Sequence, residues 1–404
     1  MSAALPIAVV KFGGTSVATP EQRGLAIDRV RQERAEGFAV VVVVSAMGRP
    51  PEPYATDTLL SHVGGLSGTI NADILLACGE LIAAAIFAEE LTVAGIAARA
   101  LSGAQAGIIT NEMHGDATIT RVEPHQVRAL LEADVVPVIA GFQGAMGDGT
   151  ITTLGRGGTD LTAIAMGDAL GAERVDIYTD VSGAMTADPR RIEGARTIER
   201  ASLEEMSELA QNGAKVMHHK AASYAQARGT SYAIKGLATG TGTIVDTSAK
   251  HAAPVTGVTS IDNLTWVRAI RGDIENPTKR METELEMFRR LAAAEISIDQ
   301  VTINQSGVAF VVQGERGTDV RRLLGDLNIA VRVREGCSKI SIVGAGMRGT
   351  PGVVYEIVKA LSQANVEIIH ATDSNITISV LVPESDVARA EAAVHEHFQL
   401  ASGD

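Results

Sequence analysis

The segment Val9-Val10-Lys11-Phe12-Gly13-Gly14-Thr15-Ser16-Val17-Ala18 joins a strand ending in lysine to two glycines. A lysine ammonium is a point charge suited to a transferring phosphoryl group. Two glycines let backbone N–H groups turn towards an anion. A surface strand–turn lysine would look the same in isolation. Thr153-Leu154-Gly155-Arg156-Gly157-Gly158-Thr159-Asp160 opens a helix through Ala163, Ile164 and Leu170. Glycines before a helix N-terminus favour anions, and Arg156 can grip a carboxylate with two parallel hydrogen bonds. Asp160 would at least suit the dipole of that first turn. The stretch Tyr178 to Arg190 places Asp180, Asp188, Thr186 and Arg190 after an aliphatic strand, where α/β sheets bind ligands. Gly213-Ala214-Lys215-Val216 adds a second lysine just after a helix stop. Cys78-Gly79-Glu80 lies in a helix whose apolar face reads as Ile74, Leu75, Leu81, Ile82, Ala85 and Ile86. There Gly79 would admit a ligand and Glu80 would meet an ammonium group, unless it is simply solvated.

Regular elements must hold these groups. Ile7–Val10, Ala39–Val44, Val135–Ala140 and Val175–Tyr178 are continuous aliphatic runs, the pattern of strands buried on both faces of a mostly parallel sheet. Helices alternate with them. Thr19-Pro20-Glu21-Gln22 supplies an N-cap, a proline at the first helical position and a glutamine able to close a capping box. Ser202-Leu203-Glu204-Glu205 repeats that signal, with Gly213 as the stop. The alternation predicts an α/β sandwich.

Beyond the loop Thr239–Thr243, residues Thr247 to Pro254 read as a linker, and two similar halves follow. The first has a strand at Thr265–Ile270 and a helix face of Leu285, Phe288, Leu291 and Ala292. A hairpin of Ile298–Ile303 with Val308–Val312, a short helix over Val320–Leu324 and a strand at Ala330–Val333 complete it. The second has a strand at Lys339–Val343 and a helix marked by Val353, Val354, Ile357, Val358 and Leu361. Val366–Ile369 pairs with Ile376–Val382, and a helix runs from Ser385 towards Phe398. Too little chain remains for its fourth strand, so Val255–Ser260 is expected to complete it from the other side. Val343-Gly344-Ala345-Gly346-Met347-Arg348-Gly349 matches the dinucleotide pattern, but only 55 residues follow it. It reads instead as a strand-to-helix turn, and a fused dehydrogenase is excluded by length.

A chain of 404 residues implies two or three domains. Aromatics are only 3%, so the core must be built from Ala, Val, Ile and Leu. A net charge of -13 argues against a nucleic-acid partner but leaves room for a local ATP site. The two cysteines, Cys78 and Cys337, lack ligand spacing and are expected as free buried thiols in a reducing cytosol. Met1 to Val10 has neither a basic n-region nor a long apolar run, so a soluble cytoplasmic protein with no membrane partner is expected.

The motifs KFGGTSVA, SAMG followed by Ala55-Thr56-Asp57, GEL, AGFQG, TLGRGGTD, TDVSGAMTADPR and GAKV stand in the order seen in aspartate kinases. The tail resembles that family's paired ACT domains, so the resemblance covers essentially the whole chain. SAMGRPPEPYATDTLL and ATDSNITISVLV are most similar to the diaminopimelate-regulated enzymes of Bacillus-type bacteria.

The resemblance implies an α/β amino-acid-kinase three-layer sandwich with a mostly parallel eight-stranded sheet, followed by two βαββαβ-like ACT regulatory domains. It implies a catalytic domain over 1–246, a linker and joining strand over 247–262, and ACT domains over 263–335 and 336–404. Carried over by motif, Lys11, Phe12, Gly13 and Gly14 would meet the ATP phosphates. Thr179, Asp180, Met185, Arg190, Lys215 and Val216 would line the nucleotide. Thr56, Glu80, Arg156, Gly157, Gly158 and Thr159 would hold L-aspartate, and Asp160 would orient Lys11 and Lys215. The nucleophile is a carboxylate, already ionised at neutral pH, so no general base is needed. Catalysis would rest on alignment and on charge neutralisation by the two lysines, helix N-termini and Mg²⁺, with no metal bound by protein ligands of its own. The ACT halves would pair between chains, giving at least a homodimer with an amino-acid effector at the ACT interface. Diaminopimelate is favoured by resemblance over lysine or threonine.

Three positions depart from the family pattern. His218-His219-Lys220 lacks the usual proline, which would loosen that turn. Thr230-Ser231-Tyr232-Ala233-Ile234-Lys235 replaces an Arg-Val-Arg-Ser-like strand at the nucleotide's edge. Asn276-Pro277-Thr278 stands where the first ACT helix would begin with Pro-Gly, as Pro351-Gly352 does in the second. Two other functions are compatible with parts of the chain: a kinase for glutamate, carbamate or a nucleotide, and a non-catalytic amino-acid sensor. Thr56, Glu80 and Arg156 together with two ACT halves argue against the first. Intact Lys11, Arg156, Asp160 and Asp180 argue against the second.

Overall fold

The computed structural model describes residues 5–249, 253–271, 277–327 and 329–402. Two units are distinguished by their internal contacts. One comprises Met1–Ala184, Thr197–Gln211 and Lys215–Lys250. The other comprises Met185–Arg196, Asn212–Ala214 and His251–Asp404. Two short segments inside the stretch expected to be catalytic thus group with the regulatory half.

The strands of the first unit are β1 (Ile7–Phe12), β2 (Ala39–Val44), β3 (Ala98–Leu101), β4 (Ile108–Thr110), β5 (Ile119–Val122), β6 (Val136–Ala140), β7 (Gln143–Ala145), β8 (Ile151–Thr153), β9 (Arg174–Thr179), β10 (Arg200–Ser202), β11 (Tyr232–Gly236) and β12 (Gly242–Asp246). Its helices are α1 (Pro20–Ala35), α2 (Thr56–His62), α3 (Ile70–Val93), α4 (His125–Glu132), α5 (Gly158–Leu170), α6 (Leu203–Gln211) and α7 (His219–Arg228). Eight strands form one sheet in the order β10-β12-β11-β9-β1-β2-β6-β3, and β4, β5, β7 and β8 form a smaller one. In the large sheet only the β11–β12 pairing is antiparallel. The aliphatic runs of β1, β2, β6 and β9 are its centre, as a doubly covered parallel sheet requires.

Capping fixes the helices where the sequence predicted it. Thr19 accepts from Gln22 N. Ser202 Oγ accepts from Glu205 N at 3.1 Å while Glu205 accepts from Ser202 N at 2.9 Å, a complete reciprocal box. Helix α3 corrects the reading of its apolar face. Ala72, Leu76, Ala83, Ala84, Phe87 and Leu91 are buried, whereas Ile74 is exposed. The helix is long and apolar enough by composition to cross a membrane, and apolar residues on every side give no stripe to choose between. It is instead a core helix whose inward face carries Asp73 and Glu80. Cys78 is exposed and Cys337 buried, both free, so the expectation of two buried thiols holds only for Cys337.

In the second unit, β13 (Gly257–Arg271), β14 (Asp299–Asn304), β15 (Gly307–Gln313), β16 (Ile329–Val343), β17 (His370–Asp373) and β18 (Thr377–Pro383) form one antiparallel sheet ordered β14-β15-β13-β16-β18-β17. Helices α8 (Pro277–Ala293), α9 (Gly317–Leu324), α10 (Val353–Gln363) and α11 (Val387–His397) complete it. The strands expected separately in the two halves are fused. β13 and β16 each run 15 residues and pair across both halves, with register shifts around Leu264. Gly257–Ile261 pairs with Lys339–Val343, so the segment ahead of Thr265 does complete the second half. β17 begins at His370 rather than within Val366–Ile369, because Val366 is drawn into the hydrophobic core below the sheet. Leu285 and Ala292 of α8 face outward while Met287 and Leu291 are buried; Val354 and Val358 of α10 are likewise exposed. Part of the expected linker (250–252) and Asn276 lie outside the described residues. The first two glycines of the dinucleotide-like motif serve packing. A Cβ on Gly344 would lie 2.2 Å from Pro254 O, and one on Gly346 2.5 Å from Ala253 O.

Candidate active site

Lys11 occupies the middle of the large sheet, in register with Val43 of β2 and Ile177 of β9. Side chains alternate along a strand. Val10 and Phe12 therefore enter the core layer of α1 and α3, and Lys11 points to the opposite face. It is only 8% exposed. An ammonium so enclosed needs a partner, and Asp160, in the first turn of α5, meets Nζ at 2.7 Å. Phe12 itself is a core residue, wholly buried and stacked on Tyr178 at 5.3 Å, so its side chain is no ligand contact. Of the two glycines that follow, the second is required by space. A Cβ on Gly14 would lie 2.6 Å from Ala46 O, and one on Gly13 would stand 3.4 Å from the Lys11 amine.

The Gly155–Gly158 loop is equally constrained. Gly155 and Gly157 have φ of 73° and 75°, the left-handed region that glycine adopts without strain. A Cβ on Gly157 would fall 2.1 Å from His218 Cβ, and one on Gly158 2.8 Å from Leu154 Cβ. The loop delivers the N-terminus of α5, with Thr159 buried against Gly141. Arg156 is held outward, 81% accessible, and among the described residues reaches only Asp57, at 3.4 Å. Asp57 follows Thr56, the first residue of α2, so Arg156 and the Thr56 turn are brought together.

Glu80 is buried and its Oε1 accepts from Ala46 N at 3.2 Å, while Oε2 has no hydrogen-bond partner among the described residues. Burial pushes its carboxyl up to about 8. The neighbouring Gly79 does not face a ligand as expected. It admits the chain before α2, since a Cβ there would lie 2.9 Å from Tyr54 O and from Leu59 Cδ1. Asp73, which sequence reasoning missed, accepts from Thr153 Oγ1 at 2.5 Å and from Gly115 N, and pairs with His114. It thereby fixes the strand leading into the glycine loop. Asp73 and Glu80 are seven residues apart, two turns along one face of an apolar helix, and that spacing was the available signal.

Thr179 ends β9 and donates to Asp180, which is exposed and also pairs with Arg49 at 3.1 Å. Lys215 is exposed and Val216 half-buried in the turn before α7. Met185 and Arg190 belong to the second unit, where Arg190 pairs with Asp188 at 2.6 Å. Among the described residues no group of three or more His, Cys, Asp or Glu could hold a metal ion.

Residues 6–236 match the amino acid kinase family, and residues 340–398 match an ACT domain. Aspartokinase 1 of Bacillus subtilis is 39% identical over 98% of this chain and 100% of its own length. The chain belongs to the aspartokinases. Aspartokinase III of E. coli in complex with aspartate and ADP, described as the R-state, superposes with a TM-score of 0.78 at 25% identity, covering 97% of this chain and 99% of that one. The T-state of the same enzyme, with lysine and aspartate, gives 0.73 at 26% identity over 97% and 99%.

Against the aspartokinase pattern, the His218-His219-Lys220 step is not loosened. His218 caps α7 by accepting from Lys220 N, packs on Gly157, and Lys220 pairs with Asp116 beside Gly155. Burial, with His219 and Lys220 adding to it, lowers the His218 pKa. Lys235 is committed elsewhere. It pairs with the buried Asp176 at 2.6 Å, on the sheet face opposite Lys11, next to Arg174 and Glu33. In the second regulatory half a cavity of about 270 Å³ lies between Arg348, Thr350 and Gly352 on one side and Asp373, Ser374 and Asn375 on the other.

Proposed function

We infer that this chain transfers the γ-phosphoryl group of ATP to the side-chain carboxylate of L-aspartate, giving 4-phospho-L-aspartate and ADP under feedback control through its ACT halves. The observation that carries this reading is the enclosed Lys11–Asp160 pair beside the N-terminus of α5. It sets a fixed cation beside a helix N-terminus, where one anion must be brought to another. Lys11, Gly13, Gly14 and the N-terminal amides of α5 neutralise charge that builds up on the transferring group. Asp160 orients Lys11, and Lys215 supplies the second cation. Thr179, Asp180, Met185, Arg190 and Val216 line the nucleotide.

Arg156, Thr56, Gly157, Gly158 and Thr159 hold the amino acid's carboxylates, and Glu80 receives its ammonium. An aspartate carboxylate attacks without a base, so alignment is the main task. Magnesium commonly travels with the nucleotide's phosphates and keeps several waters, needing one or two protein carboxylates at most. Asp180, an exposed carboxylate at the end of β9, fits that demand, and the ion would neutralise phosphate charge there.

The catalytic part comprises 1–246, with ACT domains over 263–335 and 336–404. The cavity at Arg348 and Asp373 suits the charged ends of an amino-acid effector. The chain acts in the cytoplasm as at least a homodimer. A coupled ADP assay comparing aspartate with glutamate tests the substrate assignment. Preference for glutamate would overturn it, and no ADP from either with saturating Mg-ATP would favour a sensor.

A further inference from the structure

Strand β11 takes in most of the 230–235 segment that departs from the aspartokinase pattern, and it carries Tyr232. Ile234 is in register with Ile177 of β9, which is in turn in register with Lys11 of β1. Side chains alternate along a strand. Tyr232 and Ile234 therefore share the face of Lys11, whereas Ala233 and Lys235 share the opposite face with Asp176. Helix α5 covers the Lys11 face over β1 and β9, and α7 packs beside it.

Tyr232 is only 3% exposed. Its hydroxyl is enclosed and has no hydrogen-bond partner among the described residues. A buried phenol is normally paired, because an unmet donor costs free energy. Other buried hydroxyls of the same unit are paired: Thr162 Oγ1 donates to Gly158 O at 2.8 Å, and Thr110 meets Thr152 at 2.6 Å. Burial raises the pKa of the phenol, and the Asp160 carboxylate adds to the rise, so the two groups lie within electrostatic reach of each other. Asp160 Oδ1 is enclosed as well, and among the described residues it meets only Lys11 Nζ, at 2.7 Å. An enclosed donor without an acceptor thus stands near an enclosed acceptor served by a single cation.

We propose that Tyr232 is a positioning residue for phosphoryl transfer, its hydroxyl donating to Asp160 when Lys11 turns to the phosphates of ATP. A phosphate competes with Asp160 for the same ammonium. Once Lys11 shares its charge, the carboxylate is an enclosed anion with a weakened partner, which is costly. A phenol donating to it forms a charge-assisted hydrogen bond, roughly twice as strong as a neutral one. Asp160 then stays ionised and in place, and Lys11 stays aimed. The role requires a donor with no competing partner and no charge of its own at neutral pH, and Tyr232 meets both demands. Lys235, two residues on, meets neither, being charged and bound to Asp176 on the other face.

This role rests on the reading of Lys11 as a phosphate contact, and variants of the full-length protein tell the two apart. Tyr232→Phe keeps the ring and deletes only the hydroxyl. Without nucleotide its Tm should match or exceed that of wild type, because the hydroxyl it loses has no partner to leave behind. With Mg-ATP and L-aspartate, kcat/KM for ATP should fall about tenfold, the loss of one hydrogen bond to a charged group, with KM for aspartate within twofold. Added to Asp160→Asn, the same change should cost less than about twofold more, since the hydroxyl acts through that carboxylate. A wild-type kcat/KM for ATP in Tyr232→Phe, with Lys11→Ala inactive, overturns the role of Tyr232 and leaves Lys11 in place. An active Lys11→Ala removes the phosphate reading itself. A lower Tm of Tyr232→Phe without nucleotide would mark a hydroxyl already bonded in the resting fold, and a full tenfold loss on top of Asp160→Asn would exclude the route through Asp160. Either result contradicts the proposal.

Discussion

Lys11 and Asp160 meet at 2.7 Å with their side chains 10% and 15% accessible, so each is the other's escape from an uncompensated buried charge. An end-of-strand lysine is expected from sequence to matter little for folding; the pairing says otherwise. Removing one partner of a buried ion pair costs roughly 3–5 kcal/mol. Lys11→Ala should therefore lower Tm clearly, and Lys11→Ala/Asp160→Asn should regain much of it. Neither should regain activity, since kcat falls on the order of 10²–10³ when such a group is lost. Melting curves with steady-state ADP release check both halves. Lys11→Ala retaining more than about a tenth of wild-type kcat would remove the lysine from the mechanism.

Glu80 gives a pH signature. Burial pushes its carboxyl up to about 8 in the folded protein, against about 4.3 for an exposed glutamate. The folded state holds the extra proton between those values, so Glu80 makes the free protein less stable as pH rises through that window. Binding an ammonium favours the carboxylate and expels the proton. KM for aspartate should thus fall as pH rises towards 8, by up to about tenfold per unit, and level off above. Glu80→Gln, which mimics the protonated acid, should melt close to wild type, with a raised and flat KM. A flat wild-type profile would contradict the assignment.

Arg156 is outside the core and nearly unpaired. Arg156→Lys should leave Tm unchanged yet raise KM for aspartate about tenfold to a hundredfold, as a two-pronged charged contact becomes a single one. An unchanged KM would place another cation at the substrate carboxylate.

The cysteines differ in reach. Cys78 is exposed, whereas Cys337 is buried and its thiol pKa is raised by burial. A thiol reagent should label one site quickly in the native protein and two after unfolding. Rapid labelling of both would contradict the packing of β16.

Much of this was legible in the chain because local rules and tertiary demand coincide. Unbroken valine runs can only be central parallel strands, and Ser202 with Glu205 can only usefully cap a helix. The Gly-rich segments around Lys11 and Asp160 come together because α5 packs on the face of β1 that Lys11 occupies. The misses share a different cause. Helix α3 is apolar on every side, so its buried face is chosen by what packs on it, and Ile74 loses to Ala83 and Phe87. β13 and β16 look like short strands because the irregularity near Leu264 breaks their alternation, although the backbone pairing continues. Nothing near Arg191 announces that its partners, Ser260, Asp262 and Glu391, lie some 70 to 200 residues later. Long-range ion pairs leave no periodic trace.

The most direct test of the account is to trap the product. An acyl phosphate reacts with hydroxylamine to a hydroxamate, whereas ATP hydrolysis gives none. With Mg-ATP and L-aspartate, wild-type protein should form aspartyl hydroxamate in step with ADP, and little with glutamate. ADP released without hydroxamate, or hydroxamate formed faster from glutamate, would contradict phosphoryl transfer to the aspartate side chain.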